Sequence, residues 1–193
     1  MAIDAKKILV GAPDQSATTG GVSYADTDAT LPVDARTALD AGFTHCGYVS
    51  EDGVTLTPNY STSDIRDWSR SVVRTLLEEF TGEVSFSFIQ TDYDALVAIF
   101  GSDHVTRTAA TSSAGEKIAI RMGAHMAPSK AWAFNMKDGD ARVRLVLPNA
   151  QPVIDGDLSF VANQPIAWAV RLKCSADASG ESIYIYTDDG VVA

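Results

Sequence analysis

The sequence is poor in the residues that reactive chemistry and covalent cross-linking draw on. Its 193 residues include two cysteines, Cys46 and Cys174, and three histidines, His45, His104 and His125. Two isolated thiols make no disulfide framework and show no metal-ligand spacing, so both are read as free thiols of a protein folded in a reducing cytoplasm. The three histidines stand in separate segments without an acid partner at useful spacing, and are read as ordinary surface or partly buried residues. No phosphate-cradling glycine loop, nucleophile elbow or His-Glu-x-x-His pattern occurs, which leaves an enzyme reading without residues to rest on. Long apolar runs are missing too. None approaches the roughly 18 residues of a membrane span, and the opening stretch, with Asp4 early, is not read as a signal peptide. Basic charge is scarce: 15 Lys and Arg face 25 Asp and Glu, a formal charge of −10. Such a chain is ill suited to gripping nucleic acid or anionic lipid through its overall field.

What is present is ordinary for a globular chain: 46% apolar and 21% charged residues. That excludes wholesale disorder, and a chain of this length buries roughly 70% of its unfolded surface without staples. One domain over residues 1–193 is expected. The acidic pairs Asp26/Asp28, Asp138/Asp140 and Asp155/Asp157 suggest calcium at first sight. A calcium loop of the helix-loop-helix kind needs Gly at its sixth position and Glu at its twelfth. Counting from Asp138 those positions hold Val143 and Asn149, and from Asp155 they hold Phe160 and Ile166. These pairs therefore read as turns between strands. No metal or cofactor is expected.

From residue 83 onward, apolar and polar residues alternate repeatedly. Val84, Phe86 and Phe88 share one face, and Ile118, Ile120 and Met122 another. Trp132, Phe134 and Met136 alternate with Ala133, Asn135 and Lys137. Asp138-Gly139 then marks a hairpin turn into Val143, Leu145 and Leu147. Ile166, Trp168, Val170, Leu172 and Cys174 follow, then Ile183 and Ile185. Period two with one apolar face predicts antiparallel strands around a shared core, and it places Trp132 and Trp168 in that core. Thr91-Asp92-Tyr93-Asp94 offers a helix start, and Leu96, Val97, Ile99 and Phe100 form an apolar stripe closed by Gly101, so a helix is expected over residues 92–100. The fold class is mainly β: an antiparallel sandwich or partly closed barrel spanning 83–187, flanked by one helix.

The first half is less regular. Residues 11–35 read as an extended arm, punctuated by Gly20-Gly21 and Pro32. A short helix is expected near Asp34–Asp40, then a strand over Thr44–Ser50 that enters a turn at Glu51-Asp52-Gly53. Residues 51–75 read as a long inter-strand loop, with Ser71–Phe80 as a strand or short helix. Trp68 stands alone in this polar region, which suits an interface anchor better than a sugar platform. Seven basic residues (Lys117, Arg121, Lys137, Arg142, Arg144, Arg171 and Lys173) lie in the predicted strands, while the carboxylates gather in turns. Such charged faces either discourage indiscriminate sheet association or meet acidic loops of neighbouring copies.

The run Gly21-Val22-Ser23-Tyr24-Ala25, followed by Leu31-Pro32 and Ala38-Leu39-Asp40-Ala41-Gly42-Phe43, leads into Gly47-Tyr48-Val49-Ser50-Glu51-Asp52-Gly53-Val54. It continues through Ser63-Asp64-Ile65-Arg66-Asp67-Trp68 and Val72-Val73-Arg74 to Phe86-Ser87-Phe88-Ile89-Gln90-Thr91. This ordered series, over about residues 10–175, resembles the major tail proteins (tail tube proteins) of long, non-contractile-tailed bacteriophages. The resemblance implies a β-sandwich or barrel with one helix, forming rings, typically hexameric, that stack into a tube through which double-stranded DNA leaves the capsid. It also implies a place in the virion tail after synthesis in the host cytoplasm. The implied partners are other copies of the chain, the tape measure, tail terminator and distal tail proteins, and DNA in transit without specific binding, with no membrane. Arm and loop would bridge neighbouring copies, so the candidate interface residues are Tyr24, Leu31, Tyr48, Glu51, Asp52, Tyr60, Ile65 and Trp68. The immunoglobulin-like C-terminal domain of some relatives is expected to be absent. Two other readings stay open: the inner tube of a contractile tail or secretion system, and a carbohydrate-binding or adhesion β-sandwich.

Overall fold

The computed structural model describes residues 7–14 and 21–191. The antiparallel core expected from the alternating segments is there. Among the described residues ten strands form: β1 (Val22–Ala25), β2 (Thr44–His45), β3 (Thr55–Arg66), β4 (Val72–Phe88), β5 (Val105–Thr108), β6 (Lys117–Ile120), β7 (Lys130–Asp138), β8 (Ala141–Ile154), β9 (Trp168–Ser175) and β10 (Tyr184–Asp188). Eight of them make one antiparallel sheet in the order β2-β1-β7-β8-β9-β4-β3. β10 is the eighth, pairing with the first half of β8 beside the stretch that β9 occupies. β5 and β6 form a separate two-stranded ribbon. The sheet does not close into a barrel.

The helix α1 (Tyr93–Phe100) starts where expected. The Asp92 carboxylate accepts the Ala95 amide at 2.9 Å, satisfying a donor that would otherwise be orphaned. Gly101 ends it with φ +83°, a conformation that a side chain disfavours. Its stripe of Leu96, Ile99 and Phe100 is buried, and Phe100 meets the Trp168 ring edge-on at 5.9 Å. Trp132 is 0% and Trp168 5% exposed. Phe86 packs edge-on against Phe88, Trp132 and Phe134, with centroids 5.0–6.0 Å apart. Such aromatic pairs contribute about 0.5–1.5 kcal/mol each beyond their burial.

The first half departs from its reading in three places. The expected arm over 11–35 is not an arm at residues 22–25. There β1 lies inside the sheet against β7, with all four residues buried. Its register puts Val22 and Tyr24 in the main core and turns Ser23 and Ala25 to the other face. Residues 15–20 of that arm lie outside the described residues. The helix expected over Asp34–Asp40 does not form. Instead the Arg144 guanidinium takes the Asp34 and Thr37 carbonyls at 2.9 Å each, holding the segment as bends across β8. Residues 51–75 are not an irregular loop either, because β3 and the first part of β4 pair along their lengths as one long hairpin.

Residues 26–43 cover the second face of the sheet. Phe43 and Ala25 pack on Ala131 and Ala133, with Ala29, Leu31 and Leu39 around them. Ala131 and Ala133 occupy the phase opposite Trp132 and Phe134, and their small side chains let this segment come close. Arg144 is buried beneath it, its Nε donating to Asn135 Oδ1 at 2.6 Å.

Candidate assembly interface

The β3–β4 hairpin outruns the body of the sheet. From Gly82 onward β4 has β9 on its other side, but the hairpin beyond Gly82 and Pro58 has no further strand neighbour among the described residues. The β4 residues Val84, Phe86 and Phe88 are buried; on the projecting part Tyr60, Ile65, Val72, Val73 and Leu77 are all exposed. Side-chain contacts order this part from within. The rings of Tyr60 and Phe80 lie 4.8 Å apart, and the Thr75 hydroxyl donates to Asp64 at 2.8 Å. Bulges at Ser61/Thr62 and Ile65/Arg66 interrupt its register. A two-stranded ribbon of this kind is marginal alone and gains stability from a surface laid against it.

The hairpin turns through Asp67–Ser71. The Asp67 carbonyl accepts the Arg70 amide at 2.9 Å, and its carboxylate accepts the Ser69 hydroxyl and the Ser71 amide. Those bonds, the hydroxyl's first, lower the Asp67 pKa from its ordinary value. Arg70 takes a left-handed conformation, φ +65°, where glycine is the usual occupant. The turn presents Trp68 fully exposed. An indole held in water at the apex of an ordered turn is a side chain set out for contact.

The other candidate residues fall elsewhere. Tyr48, Glu51 and Asp52 come together at the opposite end of β3. There Ser50 donates its amide to the Ser87 carbonyl, and Gly53, φ +69°, closes the turn onto the Ser50 carbonyl. Tyr48 and Glu51 line an apolar groove of about 460 Å³ whose floor includes Val22, Val54, Phe134 and Met136, with Pro13 at one wall. Leu31 is half-buried in the cluster on the second face of the sheet. Tyr24 is buried against Trp132, centroids 5.8 Å apart, and burial raises its phenol pKa. Tyr60, Ile65 and Trp68 share the hairpin with Val72, Val73 and Leu77. The last three were not singled out from sequence, although apolar residues in so polar a stretch already marked the site.

The strand-borne arginines have partners within the chain. Arg171 binds Asp155 at 2.5 Å with Glu83 at 3.7 Å, Arg142 lies 3.5 Å from Asp14, and Arg144 is held by carbonyls. Of the histidines, His45 shares a hydrogen bond with the Ser23 hydroxyl at 2.8 Å. His104 and His125 do meet, contrary to their separation in sequence, with rings stacked at 3.4 Å. Among the described residues no group of three or more His, Cys, Asp or Glu is placed to hold a metal ion.

This mainly β protein carries six exposed apolar side chains (Tyr60, Ile65, Trp68, Val72, Val73 and Leu77) on one projecting hairpin, an arrangement that suits structural contact. The chain belongs to the phage tail tube protein family, whose model matches residues 1–192. It is thus a non-enzymatic structural component of the virion tail. No curated protein is similar enough to this chain to count as a match.

Proposed function

We propose that copies of this chain form rings, typically of six, which stack into the tube of a long, non-contractile tail and conduct double-stranded DNA into the host. The observation that carries this reading is the hairpin, with Tyr60, Ile65, Trp68 and Leu77 exposed on a ribbon that no other element among the described residues covers. Stacked rings require a head-to-tail contact with different surfaces on the two sides of each subunit, and a projecting element supplies one of them. Tape measure, tail terminator and distal tail proteins would bound the polymer. A conduit should hold DNA weakly, because each free cation in the lumen adds a phosphate contact. The net charge of −10 and the internal pairing of Arg142, Arg144 and Arg171 suit that requirement. Negative-stain microscopy of the concentrated protein tests the reading. Tubes with a central channel are expected, and a chain that stays monomeric at every concentration would overturn it.

A further inference from the structure

We propose that the apolar groove beside Glu51 and Asp52 receives the hairpin turn of a second copy, with Trp68 as the inserted side chain. The proposal rests on the tube reading above and names the two surfaces of its head-to-tail contact. The groove holds about 460 Å³ between Pro13, Val22, Val54, Phe134 and Met136, within the range of sites that bury an aromatic group. The turn offers one fully exposed indole.

The charges are complementary. Glu51 lines the groove and Asp52 follows it in the same turn; both are exposed, and neither forms an ion pair among the described residues. Arg70 and Arg74, at and beside the turn, are exposed and likewise form none there. In a chain of net charge −10, like copies repel at long range. Arg70 and Arg74 outnumber the carboxylate of Asp67, which has no ion pair at the turn among the described residues, and setting them against Glu51 and Asp52 offsets that repulsion locally.

Geometry excludes insertion of the turn into its own groove. Val54 lines the groove immediately before β3, and Asp67 begins the turn immediately after it. The twelve residues of β3 separate the two by roughly 40 Å at about 3.3 Å per residue. Donor and acceptor therefore sit at opposite ends of one strand. A contact that joins them between copies is head-to-tail and advances along the strand direction by no more than roughly 40 Å per copy, which gives an open-ended stack wherever its rotation does not close a ring.

The test places a photo-cross-linking residue, p-benzoylphenylalanine, at position 68 of the full chain and maps its adducts by mass spectrometry after assembly. Adducts to residues 10–13, 48–54 or 134–136 of another copy are expected. In parallel, one variant carries Arg70→Glu with Arg74→Glu, and a second carries Glu51→Arg with Asp52→Arg. Each alone should raise the concentration needed for assembly at least tenfold, and mixing the two should restore assembly, because each reversed turn then meets a reversed groove. Tubes that form normally from either variant alone, or adducts confined to other surfaces, would overturn the docking site and leave the tube reading intact. A parent chain that never assembles would overturn both.

Discussion

Trp132 and Trp68 show how differently one residue type acts in two settings. Trp132 is sealed in the core among Tyr24, Phe86 and Phe134. Trp132→Ala should cost about 3–5 kcal/mol of folding stability, read by denaturant titration. Trp68→Ala should change stability by no more than about 0.5 kcal/mol while impairing assembly, because its ring touches water on every side. Arg144 binds three acceptors below the covering segment. Arg144→Met would leave these part-buried acceptors without their donor and should cost about 1–3 kcal/mol. Asp34 in the same segment has its pKa lowered from 3.8 to about 2, chiefly by the Thr37 hydroxyl and then by the Thr37 and Arg36 amides. A carboxylate depressed on folding stabilises the native state above its unfolded pKa and loses that contribution as pH falls through the folded value. The stability difference between the parent and Asp34→Asn should therefore be complete above about pH 4 and shrink towards pH 2, in melts recorded across that range.

At the scale of elements, the hairpin and the body of the sheet carry separate duties. The inner part of β4 is flanked by β3 and β9 and faces the core, whereas the outer part has only β3 beside it. Amides in 60–80 should exchange much faster than those in 84–88, 132–136 and 168–172 in the dilute protein, and slow down on assembly. Replacing Tyr60–Phe80 by a two-residue Asn-Gly turn across the Asn59/Thr81 pair should keep the melting temperature and abolish tubes. Collapse of the fold on that deletion would make the hairpin a part of the core.

At the scale of the whole molecule, electrostatics set the relation to DNA. Each copy brings −10, so a polymer of this chain repels a duplex that carries one phosphate charge per roughly 1.7 Å of its axis. No duplex binding is expected at physiological salt in a gel-shift titration. Arg142→Glu should disturb stability more than DNA affinity, since it sets two carboxylates, its own and that of Asp14, side by side. Salt-sensitive micromolar binding abolished by that substitution would count against the conduit.

The second half of the chain was legible in the sequence because its strands bury one face. Alternation over 84–88, 132–136 and 168–174 needs no knowledge of the partner strand, and neither does a helix whose cap and stripe are local. The family resemblance was likewise carried by ordered local runs. β1 and the hairpin were not legible, for opposite reasons. β1 is covered on both faces, by the main core and by the segment around Phe43, so its four residues show no alternation. The hairpin is covered on neither face among the described residues, so β3 carries Ser, Thr and Asp where a core would demand apolar residues and reads as loop. Ser71–Phe80, which holds the outer part of β4, already read as a strand or short helix. Likewise, nothing in the spacing of Glu51 and Trp68 told that they stand at opposite ends of one strand. Strand pairing, which joins residues distant in sequence through backbone bonds common to every side chain, decided that.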